Sequence, residues 1–108
     1  MAYDEILADR LRDRLRDADG VAEKKMFGGL AFLTHGNMTV GVHGDELIVR
    51  LAREAVEAAL ARPGTRPFES RGRRMPNWVL VAGDHLDDPD LDGWLAEAAA
   101  FVATLPPK

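Results

Sequence analysis

The chain has 108 residues, a formal net charge of −4 at pH 7 and no cysteine. That length supports one hydrophobic core, so residues 1–108 read as a single domain. The missing cysteines exclude disulfides, thiolate metal sites and cysteine nucleophiles, and the acidic balance argues against a polyanion as the favoured partner.

The N-terminus, Met1 to Glu5, has neither a basic nor an apolar stretch of the signal-peptide kind, and no apolar run reaches the roughly 18–20 residues of a membrane span. The expected location is the cytoplasm, away from a membrane. From Asp4 to Asp19, Ile6, Leu7, Leu11 and Leu15 recur at helical spacing. The other side of this helix carries Asp9, Arg10, Arg12, Asp13, Arg14, Arg16 and Asp17, a solvated face supported by pairs such as Asp9–Arg12 and Asp13–Arg16. Gly20 is expected to stop it.

Glu23-Lys24-Lys25 leads into Met26-Phe27-Gly28-Gly29 and then a β-meander over residues 29–51. Two hairpins are predicted, with Gly36-Asn37 and Gly44-Asp45 as two-residue type II′ loops. This register puts Leu33 and Ala31 opposite Val40 and Val42, and these opposite Val49 and Leu47, on one core face. Leu30, Phe32 and Ile48 then share the other face, with Phe32 lying across Gly41, and form a candidate self-association surface.

A short helix is predicted over Ala52 to Ala61, with Ala55, Val56, Ala59 and Leu60 inward and Pro63-Gly64 ending it. Thr65 to Glu69 reads as a further strand, held to an edge by Pro67, and Trp78 to Ala82 as a second. In the last helix Asp88 suits the N-cap, Pro89 the first turn, and Leu91, Trp94, Leu95, Ala98, Phe101, Val102 and Leu105 the inward stripe. The fold class is therefore α+β, in two layers. A mostly antiparallel sheet, the meander plus one or two later strands, is packed by N-terminal, middle and C-terminal helices.

The chemistry-bearing residues are sparse. His35, His43 and His85 have no metal-ligand spacing, and Asp84, Asp87, Asp88, Asp90 and Asp92 lack the pattern of a calcium loop and suit capping instead. Gly28-Gly29 precedes a strand, so it is no phosphate cradle, which needs a following helix N-terminus. No catalytic constellation, metal site or cofactor site emerges. One electrostatic feature remains: Arg62 to Arg74 holds five arginines against one glutamate. Lys24, Lys25, Arg66, Arg71, Arg73 and Arg74 form a candidate patch for an anionic partner, with Phe68 and Trp78 interleaved. A protein partner or a homodimer is favoured over nucleic acid. A small-ligand cleft near Trp78 and His85 is a further alternative.

Lys25-Met26-Phe27-Gly28-Gly29 after a leading helix, the two hairpins, Met75-Pro76-Asn77-Trp78 and the Leu91/Trp94 helix together resemble the TfoX/Sxy family, in its N-terminal domain. The resemblance spans nearly the whole chain and implies a two-layer α+β domain. It also implies a regulatory role, because full-length members regulate natural competence together with the cyclic-AMP receptor protein at promoters. Those members carry a further C-terminal helical domain, so this chain is expected to be a single-domain member. The resemblance carries no catalytic residues over. Met26, Phe27, Gly28 and Gly29 enter as signature positions, and the implied role is a non-catalytic regulatory or protein-interaction module.

Overall fold

The computed structural model describes residues 3–26 and 28–107. Phe27 of the signature therefore lies outside the described residues. Three helices, α1 (Glu5–Leu15), α2 (Arg53–Leu60) and α3 (Asp88–Val102), pack on six strands. These are β1 (Val21–Met26), β2 (Gly29–Thr34), β3 (Asn37–His43), β4 (Glu46–Arg50), β5 (Thr65–Ser70) and β6 (Arg73–Val81). The sheet has the order β1-β2-β3-β4-β6-β5 and every neighbouring pair is antiparallel. The α+β class is as the patterning requires.

Helix α1 starts where Asp4 accepts hydrogen bonds from the backbone N–H groups of Ile6 and Leu7, a normal N-cap. It ends at Leu15, earlier than Gly20 would suggest. Gly20 instead has φ +72 in the turn that feeds β1, and its carbonyl accepts from the His35 N–H at 2.9 Å. Leu7, Ala8 and Leu11 are buried, but Ile6 is 74% exposed and is not part of the inward stripe. Residues Glu23 to Lys25 do not merely lead into the meander; they belong to β1, an exposed edge strand whose charged side chains hide its period.

The meander is present, but the first hairpin has a different register. Its loop is His35-Gly36, with both φ angles positive (51 and 86), and Thr34 pairs with Asn37. This is type I′ chemistry, whereas Gly44-Asp45 is the loop expected at the second hairpin, with Gly44 at φ +59. A β-bulge then separates the Leu33–Met38 and Phe32–Val40 pairs, leaving Thr39 as the extra residue on β3. One inserted residue exchanges the two faces of β2 relative to β3. Leu30 and Phe32 consequently face Val42 and Val40 inside the main core, at 3% and 2% exposure.

The proposed self-association surface of Leu30, Phe32 and Ile48 therefore does not exist as a surface. Leu30 and Phe32 are core residues under the helices, and Ile48 is fully buried on the opposite face. There it stands in a row with Ala31, Gly41 and Leu80 across four strands. Phe32 does not lie across Gly41; Ala31 and Ile48 flank it. Arg66 reaches from β5 over β6 to Glu46 on β4, with two hydrogen bonds to its carboxylate.

On the helical side, Val56 and Ala59 of α2 and Leu91, Trp94, Leu95 and Ala98 of α3 join Leu7, Ala8 and Leu11 over the sheet. The α3 N-cap is Asp87, one residue earlier than expected, and its side chain makes no capping bond. Asp88 has other partners: its carboxylate accepts from Arg10 at 2.9 Å and Arg14 at 2.7 Å, while Asp92 accepts from Arg14 at 2.6 Å. What reads as a solvated charge run on α1 is in part a clamp onto α3. Arg12 likewise ties α1 to Glu23 on β1 by two hydrogen bonds.

Candidate interaction surface

The six residues of the candidate basic patch fall on opposite ends of the sheet. Lys24 and Lys25 are exposed on β1, one outer strand. Arg66, Arg71, Arg73 and Arg74 belong to the β5–β6 hairpin at the other. Five inter-strand steps separate the two edges, roughly 24 Å at the usual strand spacing. The patch does not form as one unit because the Trp78 strand inserts beside β4 and not beside the first strand.

The hairpin itself is an arm with a basic tip. β6 runs for nine residues, but only Trp78 to Val81 pair with β4. Residues Arg73 to Asn77 run past the end of β4 and have only β5 for a strand neighbour. Pro76 is tolerated in β6 because it lies at the register shift between the Glu69–Arg74 and Pro67–Val79 pairs and beyond the end of β4, so its missing N–H removes no regular ladder hydrogen bond. At the base of the arm, the Leu51 N–H donates to the Asn77 carbonyl at 2.9 Å, and Asn77 Nδ2 donates to the Leu51 carbonyl at 3.1 Å. Trp78 meets Phe68 edge-on at 6.5 Å, and the Arg50 guanidinium lies over Trp78 at 5.2 Å and Phe101 at 5.8 Å.

The turn at the tip is Arg71-Gly72, with φ +55 and +75. Type I′ turns need positive φ at both positions, which Asn and Gly supply and Arg does not. His35 occupies the same position of the first hairpin, but its ring packs against Gly20. Among the described residues Arg71 makes no ion pair, and neither does Arg73. Arg66 is engaged by Glu46, and Arg74 donates to Glu57 of α2 at 3.3 Å. The tip therefore presents two unpaired guanidinium groups beside a third with a weak exposed partner, the arrangement that receives carboxylate or phosphate oxygens.

The remaining candidates are dispersed. His35 lies in the first turn, His43 at the end of β3 and His85 in a 3-10 turn after β6. Among the described residues no group of three or more His, Asp or Glu side chains is arranged to hold a metal ion. Trp78 and His85 do not share a hollow among the described residues: Trp78 sits with Phe68 and Arg50. His85 lines a hollow of about 170 Å³ with Arg62, Pro63, Asp90 and Trp94. There Arg62 stacks 3.7 Å over Trp94 and donates to Glu97 at 2.7 Å.

The charge pairs shift titration in the directions their geometry requires. Hydrogen bonds from Arg10 and then Arg14 hold the Asp88 carboxyl below the usual carboxylate range. Arg12 does the same for Glu23, against a smaller opposing effect of burial. Arg50 was not singled out by sequence reasoning. Burial lowers its pKa, its Nη1 donates to the Met38 carbonyl at 3.2 Å, and its buried Nε has no partner. Its sequence signal, an arginine ending an apolar strand, is indistinguishable from that of a solvent-facing residue.

Among the described residues no helix is long and apolar enough to cross a membrane. A family model described as the TfoX N-terminal domain matches residues 13–102 of the chain. No curated protein and no solved structure matches it.

Proposed function

The chain belongs to the TfoX N-terminal domain family, and from that premise we propose that it is a non-catalytic, cytoplasmic regulatory module that docks an acidic segment of a partner protein on its β5–β6 arm. The observation that carries the reading is that Arg71 and Arg73, close together at the tip of the arm, have no carboxylate partner among the described residues, whereas the other arginines do, Arg50 and Arg53 excepted. Arg10, Arg12, Arg14, Arg16, Arg62 and Arg66 all have carboxylate partners within the fold. In a chain of net charge −4, two unpaired guanidinium groups at the end of a projecting ribbon are the place where an acidic partner gains most and costs least to desolvate.

Nucleic acid is the second reading, favoured by one observation: a two-stranded ribbon is of a width that the DNA major groove admits. The overall negative charge weighs against it. Fluorescence anisotropy decides between the two, using a labelled oligoglutamate peptide and a labelled DNA duplex at low salt. The proposal expects the peptide to bind, binding to weaken as salt is raised, and the Arg71→Ala/Arg73→Ala double variant to lose affinity about tenfold, as for two exposed charge-assisted contacts. Tighter binding of the duplex would transfer the arm to nucleic acid. No binding of either probe would end both readings.

A further inference from the structure

We propose that a cleft between the first hairpin turn and the end of α3 is a binding site for a small, neutral, mainly apolar ligand. The cleft has a volume of about 340 Å³. One wall is Thr34, His35 and Asn37; the other is Ala99, Val102, Ala103, Leu105 and Pro107. That volume lies in the range of small-molecule sites and is too small for a helix or a folded partner. Its lining is also mixed as in such a site, with an apolar body of alanine, valine, leucine and proline and three polar residues. Among the described residues none of the lining side chains is acidic or is a lysine or arginine, so neither an anion nor a cation finds a counter-charge there.

The polar wall is built. His35 holds φ +51, a conformation that costs a residue with a Cβ on the order of 1 kcal/mol or more. It is kept there from behind. Its N–H donates to the Gly20 carbonyl at 2.9 Å, and its ring fills the space that a side chain at position 20 would need. The imidazole is thus fixed in place at the cleft.

Asn37 is 3% exposed, and its Nδ2 donates to the Pro106 carbonyl at 2.9 Å, which fixes the tail as the second wall. Thr34 Oγ1 lies 3.0 Å from Thr39 Oγ1, on the bulge residue, which sets its rotamer. A strained residue, a buried amide that positions a wall and a mainly apolar cleft coincide here. In the His85 hollow the aromatic face is already covered by Arg62, leaving less than this volume.

The test uses benzyl alcohol as a neutral probe, with benzoate and benzylammonium as charged controls, followed by ¹H–¹⁵N correlation spectra of the full chain. The expected result is a saturable set of shifts confined to residues 34–37 and 99–107 with benzyl alcohol, at least fivefold weaker with either control. Ala103→Trp, which fills the cleft from an exposed helix end, abolishes the shifts while the rest of the spectrum is retained. His35→Asn keeps a residue that tolerates positive φ and weakens binding severalfold. The proposal is overturned by any of three results: shifts that do not saturate, shifts that persist in Ala103→Trp, or shifts of equal size for all three probes.

Discussion

The ring of His35 occupies the volume that a Cβ on Gly20 would need, so the turn before β1 and the turn after β2 are built as one unit. Gly20 also has φ +72, which a Cβ disfavours independently of the contact. Gly20→Ala is therefore expected to destabilise the fold by about 1–3 kcal/mol. Urea denaturation measures this. Because His35→Gly also relieves the positive φ at position 35, the comparison is with His35→Gly alone: in that background Gly20→Ala is expected to keep only the part of its cost due to φ at position 20. No remaining cost in that background would show that backbone strain at position 20 is negligible.

Phe32 is a core residue, so its truncation acts on stability. Phe32→Ala is expected to cost about 3–5 kcal/mol, the range for emptying a well-packed aromatic site. Phe32→Glu buries a charge without a partner and is expected to prevent folding. Circular dichroism and denaturant titration report both. A Phe32→Glu protein with native stability would contradict the bulged register of β2 and β3.

The arm offers a separation of stability from binding. Arg71→Gly relieves a strained positive φ, worth about 1–2 kcal/mol, against the entropy cost of glycine, about 0.5–1 kcal/mol. A net gain of up to about 1.5 kcal/mol follows, a rise of a few degrees in Tm by calorimetry. The same variant is expected to bind the oligoglutamate peptide more weakly. A variant that is more stable and binds unchanged would remove Arg71 from the interaction surface.

Acid sensitivity follows from Asp88 and Glu23, whose folded-state pKa values are depressed by arginine hydrogen bonds. A depressed carboxyl contributes stability that is complete above its unfolded pKa, about 4, and is lost as pH falls through the lower folded value. The urea midpoint is expected to be flat from neutral pH to about pH 5 and to drop below about pH 4. Asp88→Asn and Glu23→Gln together are expected to lower the plateau and make the acid limb shallower. An acid limb of unchanged steepness in the double variant would place its origin in other carboxylates.

Much of this architecture was legible in the chain. The inward stripes of α2 and α3 follow from helical spacing, the second hairpin from Gly44-Asp45, and the edge position of β5 from Pro67. The family follows from the stretch around Gly28-Gly29 together with the elements after it. Three things were not legible. β1 carries Glu23, Lys24 and Lys25, which read as a loop because an edge strand needs few apolar residues. Asp88 and Asp92 look like capping residues because nothing local identifies Arg10 and Arg14, more than seventy positions away, as their partners. The first hairpin turn has a histidine where turn chemistry expects asparagine or glycine.

The stretch Gly29 to Leu33 shows where the division falls. Its sequence alone settles that it is a strand entered through glycines, because a double glycine and a run of apolar residues permit little else. Which of its faces is inside was decided by the tertiary structure. Leu30, Ala31, Phe32 and Leu33 are all apolar, so either alternation can be buried, and the local pattern carries no preference. The choice is made by one extra residue, Thr39, on the neighbouring strand. It places Phe32 beneath the helices and takes Leu30 and Phe32 off the outer surface of the sheet.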